Sequence, residues 1–267
     1  MATFVDRKGK PKTTSGRLPL ILAGVFAIAC LAALIFVGDL ARYQDAGMVE
    51  ESRTALRNAG DPEQFEQAFK QYPANRILKL LALANAKSAE IDAAVAKMLN
   101  EVEATVKPVN LTAANRGDLD ALRRDLKAAE SGLADVKSRI EAMIKAKRDE
   151  LQDSARALGL ETAVVARFMA AVDEQHAELK ALATEALAAR AEYFGAYDKC
   201  VALLVREFGS YTVTGGQFIF RVQPTADSYN AASMAMAAAA KRTADLEGAR
   251  AGLKQSQLGR WKQFVEP

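Results

Sequence analysis

Few residues in this 267-residue chain have the types and spacings needed for catalysis. His176 is the only histidine, and it stands among Glu174, Gln175 and Glu178 on a predicted helix. This count excludes a multi-histidine metal site, and the setting does not fit a catalytic triad. Lone histidines on helices usually have structural roles, so we expect a neutral, partly packed imidazole.

Short motifs for acyl or phosphoryl chemistry are incomplete. Ser228-Tyr229-Asn230 matches one element of penicillin-binding serine enzymes, but the chain has no Ser-x-x-Lys and no Lys-Thr-Gly. Gly9-Lys10 lacks the upstream glycine of a phosphate-binding loop, and no G-x-G-x-x-G occurs. We therefore predict that the chain is not an enzyme and that it has no catalytic residues, no cofactor and no metal site.

Charge is distributed unevenly along the chain. Residues 1–17 hold five Lys or Arg against Asp6 alone, a balance of about +4, so the total of +3 leaves about −1 for the rest. In the body, carboxylates such as Asp118 and Asp125 alternate with Lys and Arg, as on solvated helix faces. Because nucleic-acid binding needs a basic stripe on the folded domain, we predict no nucleic-acid partner.

An apolar segment follows the basic tail. Residues 18–38 contain no charged side chain and, at about 1.5 Å per residue, match a hydrocarbon core of about 30 Å. Positive charge on its N-terminal side places residues 1–17 in the cytoplasm. We predict a single-pass protein of a bacterial inner membrane, with residues 1–17 as a cytoplasmic tail, residues 18–38 as the transmembrane helix and a periplasmic body.

Two other fates of this segment stay open. Ala27-Ile28-Ala29-Cys30 has the small-residue spacing of a signal-peptide cleavage site, and Cys30 could carry the lipid of a lipoprotein. The apolar run continues past Cys30, which favours a retained anchor. The other cysteine, Cys200, is expected to pack as a small hydrophobic residue on a helix, so we predict no intrachain disulfide.

The region 39–159 is predicted to be helical, with two heptad seams. Apolar residues recur at alternating steps of three and four over about 74–106 and again over 119–156. Breakers between them, including Pro108 and Gly117, predict a fold class that is mainly all-α: an elongated antiparallel helical hairpin with coiled-coil-like packing. The second seam consists of Leu119, Leu122, Leu126, Ala129, Leu133, Val136, Ile140 and Met143.

Residues 160–267 are predicted to contain a long helix, a small β-hairpin over 210–222 and an Ala-rich C-terminal helix that returns antiparallel. The period changes to two around Gly215-Gly216, a typical two-residue hairpin turn. This turn pairs Val213 with Phe218 and leaves an apolar face that must pack on something, since isolated hairpins are marginally stable.

Loops that rigid helices position often carry recognition, so the two tips, 107–118 and 209–225, are the candidate binding surfaces. The alternative is that the hairpin aromatics only pack on adjacent helix ends. The residues that we expect to bind a partner are Tyr211, Phe218, Ile219 and Phe220.

These features predict a membrane-anchored scaffold or adaptor that binds a protein partner or associates with itself. One alternative is a ligand-sensing or signalling subunit, which would act through a partner because residues 1–17 hold no output domain. Another is a lipoprotein or an export-system adaptor, a class that the chain resembles in its short tail, single span and long external hairpin. That class has β-rich halves, whereas only 210–222 has a clear β pattern here.

Overall fold

The computed structural model describes residues 47–57, 59 and 62–266, and from Met48 onward these belong to one compact unit. The basic tail, the predicted span 18–38 and Cys30 lie outside the described residues. No described helix is both long enough and apolar enough to cross a bilayer. The prediction of a mainly helical chain with one small antiparallel β-hairpin is confirmed.

Six helices and two short strands make up the described part of the chain. Residues 47–57 are helical and are called α1. The other elements are α2 (Pro62–Gln71), α3 (Arg76–Glu103), α4 (Arg116–Ala157), α5 (Thr162–Arg206), β1 (Thr212–Thr214), β2 (Gln217–Ile219) and α6 (Gln223–Val265).

Side-chain caps fix where α3 and α4 begin. The Asn115 side chain accepts a hydrogen bond from the Asp118 backbone N–H at 3.0 Å, and the Asp118 carboxylate accepts from the Asn115 N–H at 3.0 Å, which completes a capping box for α4. Asn75 caps α3 by accepting from the Leu78 N–H at 3.0 Å. Gly159 follows the end of α4 with a φ of +64°, a conformation that favours glycine just after a helix.

The apolar seam of α4 lies inside the protein along its whole length. The predicted residues from Leu119 to Ile140 are buried, but the inward position then moves from Met143, which is half-buried, to Ile144. A straight helix has 3.6 residues per turn, so a strict heptad drifts by about 20° per repeat and an extra step of four restores the register. The seam continues past Lys147 through Leu151 and Ala155.

Ion pairs show that consecutive long helices run antiparallel. Arg123 binds Asp198 at 2.8 Å and Arg148 binds Asp173 at 2.6 Å, so the start of α4 lies beside the end of α5 and the two helices are antiparallel. Equivalent pairs join the other helices, namely Lys147–Glu90 at 2.9 Å between α4 and α3 and Arg260–Glu178 at 2.7 Å between α6 and α5. Arg250 of α6 also binds Asp92 of α3, so the two helical pairs close into one four-helix bundle.

One end of the bundle, called the base, gathers the two ends of the described chain. Leu56 of α1 and Trp261 of α6 are both fully buried there, in a core that also includes Phe168 of α5. Asn75 donates to the Met48 carbonyl at 2.8 Å and ties α1 to the start of α3. The chain therefore enters the described unit at the base.

The opposite, distal end carries the loop 104–115 and the β-hairpin. Thr214 pairs with Gln217 and Val213 with Phe218, which confirms the predicted register. Gly215 and Gly216 occupy the two turn positions with φ of +58° and +78°, a conformation that glycine adopts without strain.

Candidate functional site

The aromatic face of the hairpin packs against the start of α6. Tyr211 contacts Phe218 with ring centroids 5.4 Å apart, and Tyr229 of α6 contacts Phe218 at 5.5 Å and Phe220 at 5.2 Å. Three of the four side chains predicted to bind a partner are therefore half-buried within the protein. Only Ile219, on the other face, is largely exposed, at 50%.

Exposed apolar side chains concentrate around this hairpin. Among the described residues, five large apolar side chains are exposed, and four of them lie within 208–222. The fifth, Met234, lies on α6. The four are called the tip patch and comprise Phe208, Val213, Ile219 and Val222.

Sequence reasoning named only Ile219 of the tip patch as a binding residue. Phe208 and Val222 flank the hairpin, where a period-two pattern does not say which way a side chain faces. Their positions next to helix ends were the available signal. Phe208 comes just after α5 and Val222 just before α6, and side chains in such connecting segments lie at the surface.

The loop 104–115 folds onto the same hydrophobic cluster as the hairpin. Val106, Val109 and Leu111 pack inward against the buried residues of this cluster. Asn110 accepts hydrogen bonds from the Thr112 N–H at 3.2 Å and the Thr112 hydroxyl at 2.8 Å, which fixes the turn. The two predicted tips therefore belong to one end of one bundle.

A buried arginine lies between three helices of the bundle. Arg190 of α5 is 5% exposed, its Nε donates to Glu103 of α3 at 2.7 Å, and its Nη2 donates to Glu247 of α6 at 2.9 Å. Its Nη1 is buried and has no hydrogen-bond partner. Sequence reasoning missed Arg190, although its place on the seam between Leu187 and Phe194 was a signal, because charged residues are almost never buried without a reason.

Arg190 lines a cavity of about 530 Å³, called here the Arg190 cavity. Aromatic residues of α5 form one wall, and the loop after α3 forms another. The lining residues are Glu103, Val106, Lys107, Pro108, Val109, Arg190, Tyr193, Phe194, Tyr197, Ala240 and Thr243.

The two tyrosines of the cavity are neutral hydrogen-bond donors. Burial raises the pKa of Tyr193, and the nearby Glu103 carboxylate raises it further. Burial also raises the pKa of Tyr197, so both phenols keep their protons at neutral pH. Neither hydroxyl has a hydrogen-bond partner among the described residues.

A second, smaller cavity of about 220 Å³ lies between α3, α5 and α6, and polar side chains that bind one another line it. The Ser88 hydroxyl accepts from the Gln175 amide at 2.9 Å and from the Gln257 amide at 3.2 Å. The Arg250–Asp92 and Arg260–Glu178 ion pairs lie in its walls. These polar groups tie three helices together in the middle of the bundle.

The remaining reactive residue types are buried and isolated. His176 is 6% exposed, and burial lowers the pKa of its imidazole. Cys200 is 2% exposed, and burial raises the pKa of its thiol, which keeps it protonated and poorly nucleophilic. Within the described residues, no three His, Cys, Asp or Glu side chains are placed to hold a metal ion.

Comparisons of the chain with protein-family models, with curated proteins and with solved structures find no match. The described unit offers two candidate sites, the tip patch and the Arg190 cavity.

Proposed function

We propose that this chain is a membrane-anchored scaffold or adaptor of the bacterial cell envelope, which binds a protein partner through the tip patch. Residues 18–38 would hold it in the inner membrane, with residues 1–17 in the cytoplasm and an elongated, coiled-coil-like body in the periplasm. The uncharged segment and the positive charge that precedes it support this topology.

The concentration of exposed apolar side chains at one end of the bundle carries the proposal. Single exposed apolar residues need no explanation, whereas several large ones concentrated at one end of a fold favour an interaction there. Four of the five large ones among the described residues lie in the short segment 208–222. Such side chains on a loop that rigid helices position are suited to binding another protein.

The charge around the patch also favours a protein partner. Arg206 and Arg221 are balanced by Glu207 and Asp227, so the segment 206–227 has no net charge. Nucleic acids and anionic lipid surfaces select clusters of Lys and Arg. An uncharged apolar patch selects a complementary apolar surface instead.

The bundle separates the tip patch from the point where the chain enters the unit. The helices α5 and α6 contain 45 and 43 residues, which at 1.5 Å per residue makes each about 65 Å long. Residues of α1 lie in the base core, whereas the tip patch lies at the distal end. Within the described unit, α1 and the tip patch therefore lie at opposite ends of the bundle.

Affinity purification of the full chain from native membranes tests the partner-binding role. We expect a partner to co-purify with the natural sequence and to be lost when Ile219→Asp and Val222→Asp are combined. Met234→Asp is the matched control, because Met234 is exposed but lies outside the patch. Equal recovery from the tip variant and the control would overturn the proposal, as would recovery of the chain alone.

Reporter fusions after Pro267 test the topology. We expect an alkaline phosphatase fusion to be active and a fluorescent-protein fusion to be dark, because the body would lie outside the cytoplasm. The opposite pair of results would overturn the proposed orientation. Recovery of the intact protein without detergent would overturn the anchor itself.

A further inference from the structure

We propose that a groove between the distal parts of α5 and α6 binds an amphipathic helix of the partner protein, with an acidic residue of that helix facing Lys199. The groove has a volume of about 540 Å³ and is called the α5–α6 groove. This inference rests on the proposed partner-binding role and extends that site from the tip patch along the bundle. The lining residues are Ala196, Lys199, Ala202, Leu203, Arg206, Ser228, Ala231, Ala232 and Ala235.

The two walls of the groove have the spacing of helix faces. The α5 wall runs from Ala196 to Arg206 in steps of three and four residues, and the α6 wall runs from Ser228 to Ala235 in the same steps. Side chains at such steps share one face of a helix. At 1.5 Å per residue the α5 wall is about 15 Å long, which matches a partner helix of about three turns.

The groove is closed at one end and reaches the tip patch at the other. Arg242 pairs with Glu192 at 3.2 Å across the same two helices. Glu192 lies one helical turn before Ala196 on the same face, so this pair crosses the groove at its inner end. At the outer end, Arg206 is two residues before Phe208 of the tip patch. A helix that lies in the groove would therefore point toward the tip patch, so one partner would contact both surfaces.

The walls suit a helix rather than an extended peptide. Ala231 and Ala235 are exposed and carry only methyl groups, and Leu203 is half-buried, so the walls are low and apolar. The distance between packed helices depends on the size of the side chains at the contact, so small ones let a third helix approach closely. An extended peptide would find no backbone partners here, because the backbone groups of α5 and α6 are paired within their helices, whereas a helix satisfies its own. Binding of an amphipathic helix in an apolar groove is a common mode of recognition.

One unpaired positive charge in the groove favours an acidic partner. Lys199 is exposed and makes no ion pair with any described residue. Arg206 also lines the groove, but it pairs with Glu207 at 2.9 Å and therefore adds little net charge. None of the described residues that line the groove is acidic. A carboxylate at the edge of the partner helix would therefore be attracted to Lys199.

Photo-crosslinking of the full chain in native membranes tests the inference, with a photoreactive side chain at Ala231 or Ala235. Ala237, which is exposed on α6 outside the groove, is the control position, and Ile219 reports on the tip patch. We expect both groove positions to attach to one segment of one partner protein, at residues three or four apart, because these share a helix face. Mass spectrometry of the crosslinked peptides measures this spacing, and that segment should contain Asp or Glu.

Two substitutions, combined with the photoreactive side chain at position 231, test the groove itself. Lys199→Glu should lower the crosslinking yield by about three- to ten-fold, because repulsion replaces an exposed attraction. Lys241→Glu, at an exposed lysine of α6 outside the groove, should leave the yield unchanged. Ala235→Trp should block crosslinking by filling the groove, and Ala237→Trp is its matched control. All four positions are exposed, so the melting temperatures should stay close to that of the natural sequence.

The outcomes separate this inference from the proposed function. A product from Ile219 without one from either groove position would overturn the helix inference and leave the tip-patch role standing, whereas no product from any position would overturn both. Attachment sites two residues apart, as in an extended strand, would overturn the inference. So would a crosslink only to lipid or to a second copy of this chain, or an unchanged yield in Lys199→Glu or Ala235→Trp. If Ala235→Trp does not fold, Lys199→Glu decides the question.

Discussion

The indole of Trp261 stacks on the ring of Phe168, with centroids 5.9 Å apart and planes inclined by 18°. Phe264 meets Phe168 edge-on at 6.1 Å, so three aromatic rings join the last turns of α6 to α5. Leu56 of α1 is buried in the same core. The base therefore holds together the two ends of the described chain, which are distant in sequence.

Replacing Trp261 should destabilise the bundle strongly. We expect Trp261→Ala to lower the free energy of unfolding by about 3–5 kcal/mol, because a fully buried indole is lost and a cavity remains. Urea denaturation followed by circular dichroism at 222 nm measures this change. Met234→Ala, at an exposed position, should change it by less than about 0.5 kcal/mol. Similar losses in both variants would contradict this description of the base.

The seam of α4 predicts a contrast between neighbouring residues. Ile144 is 8% exposed and faces the core, whereas Met143 is only half-buried. Ile144→Ala should cost about 2–4 kcal/mol of unfolding free energy, and Met143→Ala clearly less. The same denaturation experiment ranks the two, and a larger loss for Met143→Ala would show that the heptad continues without the extra step.

His176 should make stability depend on pH in a defined direction. Burial lowers the pKa of its imidazole below the ordinary value of 6.5, the Asp173 carboxylate opposes this effect, and Arg148 adds to it. Below pH 6.5 the unfolded chain binds a proton that the folded chain does not, so stability is fully present above that pH and falls as pH decreases. The melting temperature should therefore fall as pH decreases below about 6.5.

His176→Gln is the control for this pH effect, since its side chain does not titrate. Its melting temperature should vary less than that of the natural sequence over the same interval. Parallel pH profiles for the two proteins would show that other groups cause the change.

Four charged side chains between α3 and α4 should stabilise the bundle by electrostatic attraction that weakens as salt is added. Lys147 lies 2.9 Å from Glu90 and 3.1 Å from Glu150, while Lys87 lies 3.0 Å from Glu150. These lysines lower the pKa of both carboxyls. We expect Lys147→Met to reduce the melting temperature slightly at low salt, with a smaller difference in about 1 M NaCl, where screening acts within about 3 Å. A reduction that is the same at both salt concentrations would assign the effect to packing.

The sequence was sufficient where a pattern repeats locally. The seam from Leu119 to Ile140 follows from the spacing of apolar residues, and the register of the hairpin follows from its two turn glycines. Both depend on contacts between nearby residues or on a period that the helix itself imposes.

Long-range placement could not be read in the same way. Arg250 and Asp92 are 158 residues apart in the sequence, and their contact closes the bundle. No local repeat of apolar residues predicts this contact. The burial of Arg190 likewise depends on Glu103 and Glu247, which come from two other helices. Exposure of Phe208 and Val222 depends on what the folded helices leave uncovered.

Site-specific photo-crosslinking in native membranes tests the proposed role of the tip patch most directly. A photoreactive side chain at Ile219, which is exposed at the distal end, is compared with one at Lys137, which is exposed midway along α4. We expect a discrete crosslinked protein partner from position 219 and none from position 137. The same product from both positions, or no product from 219, would contradict partner binding at the tip patch.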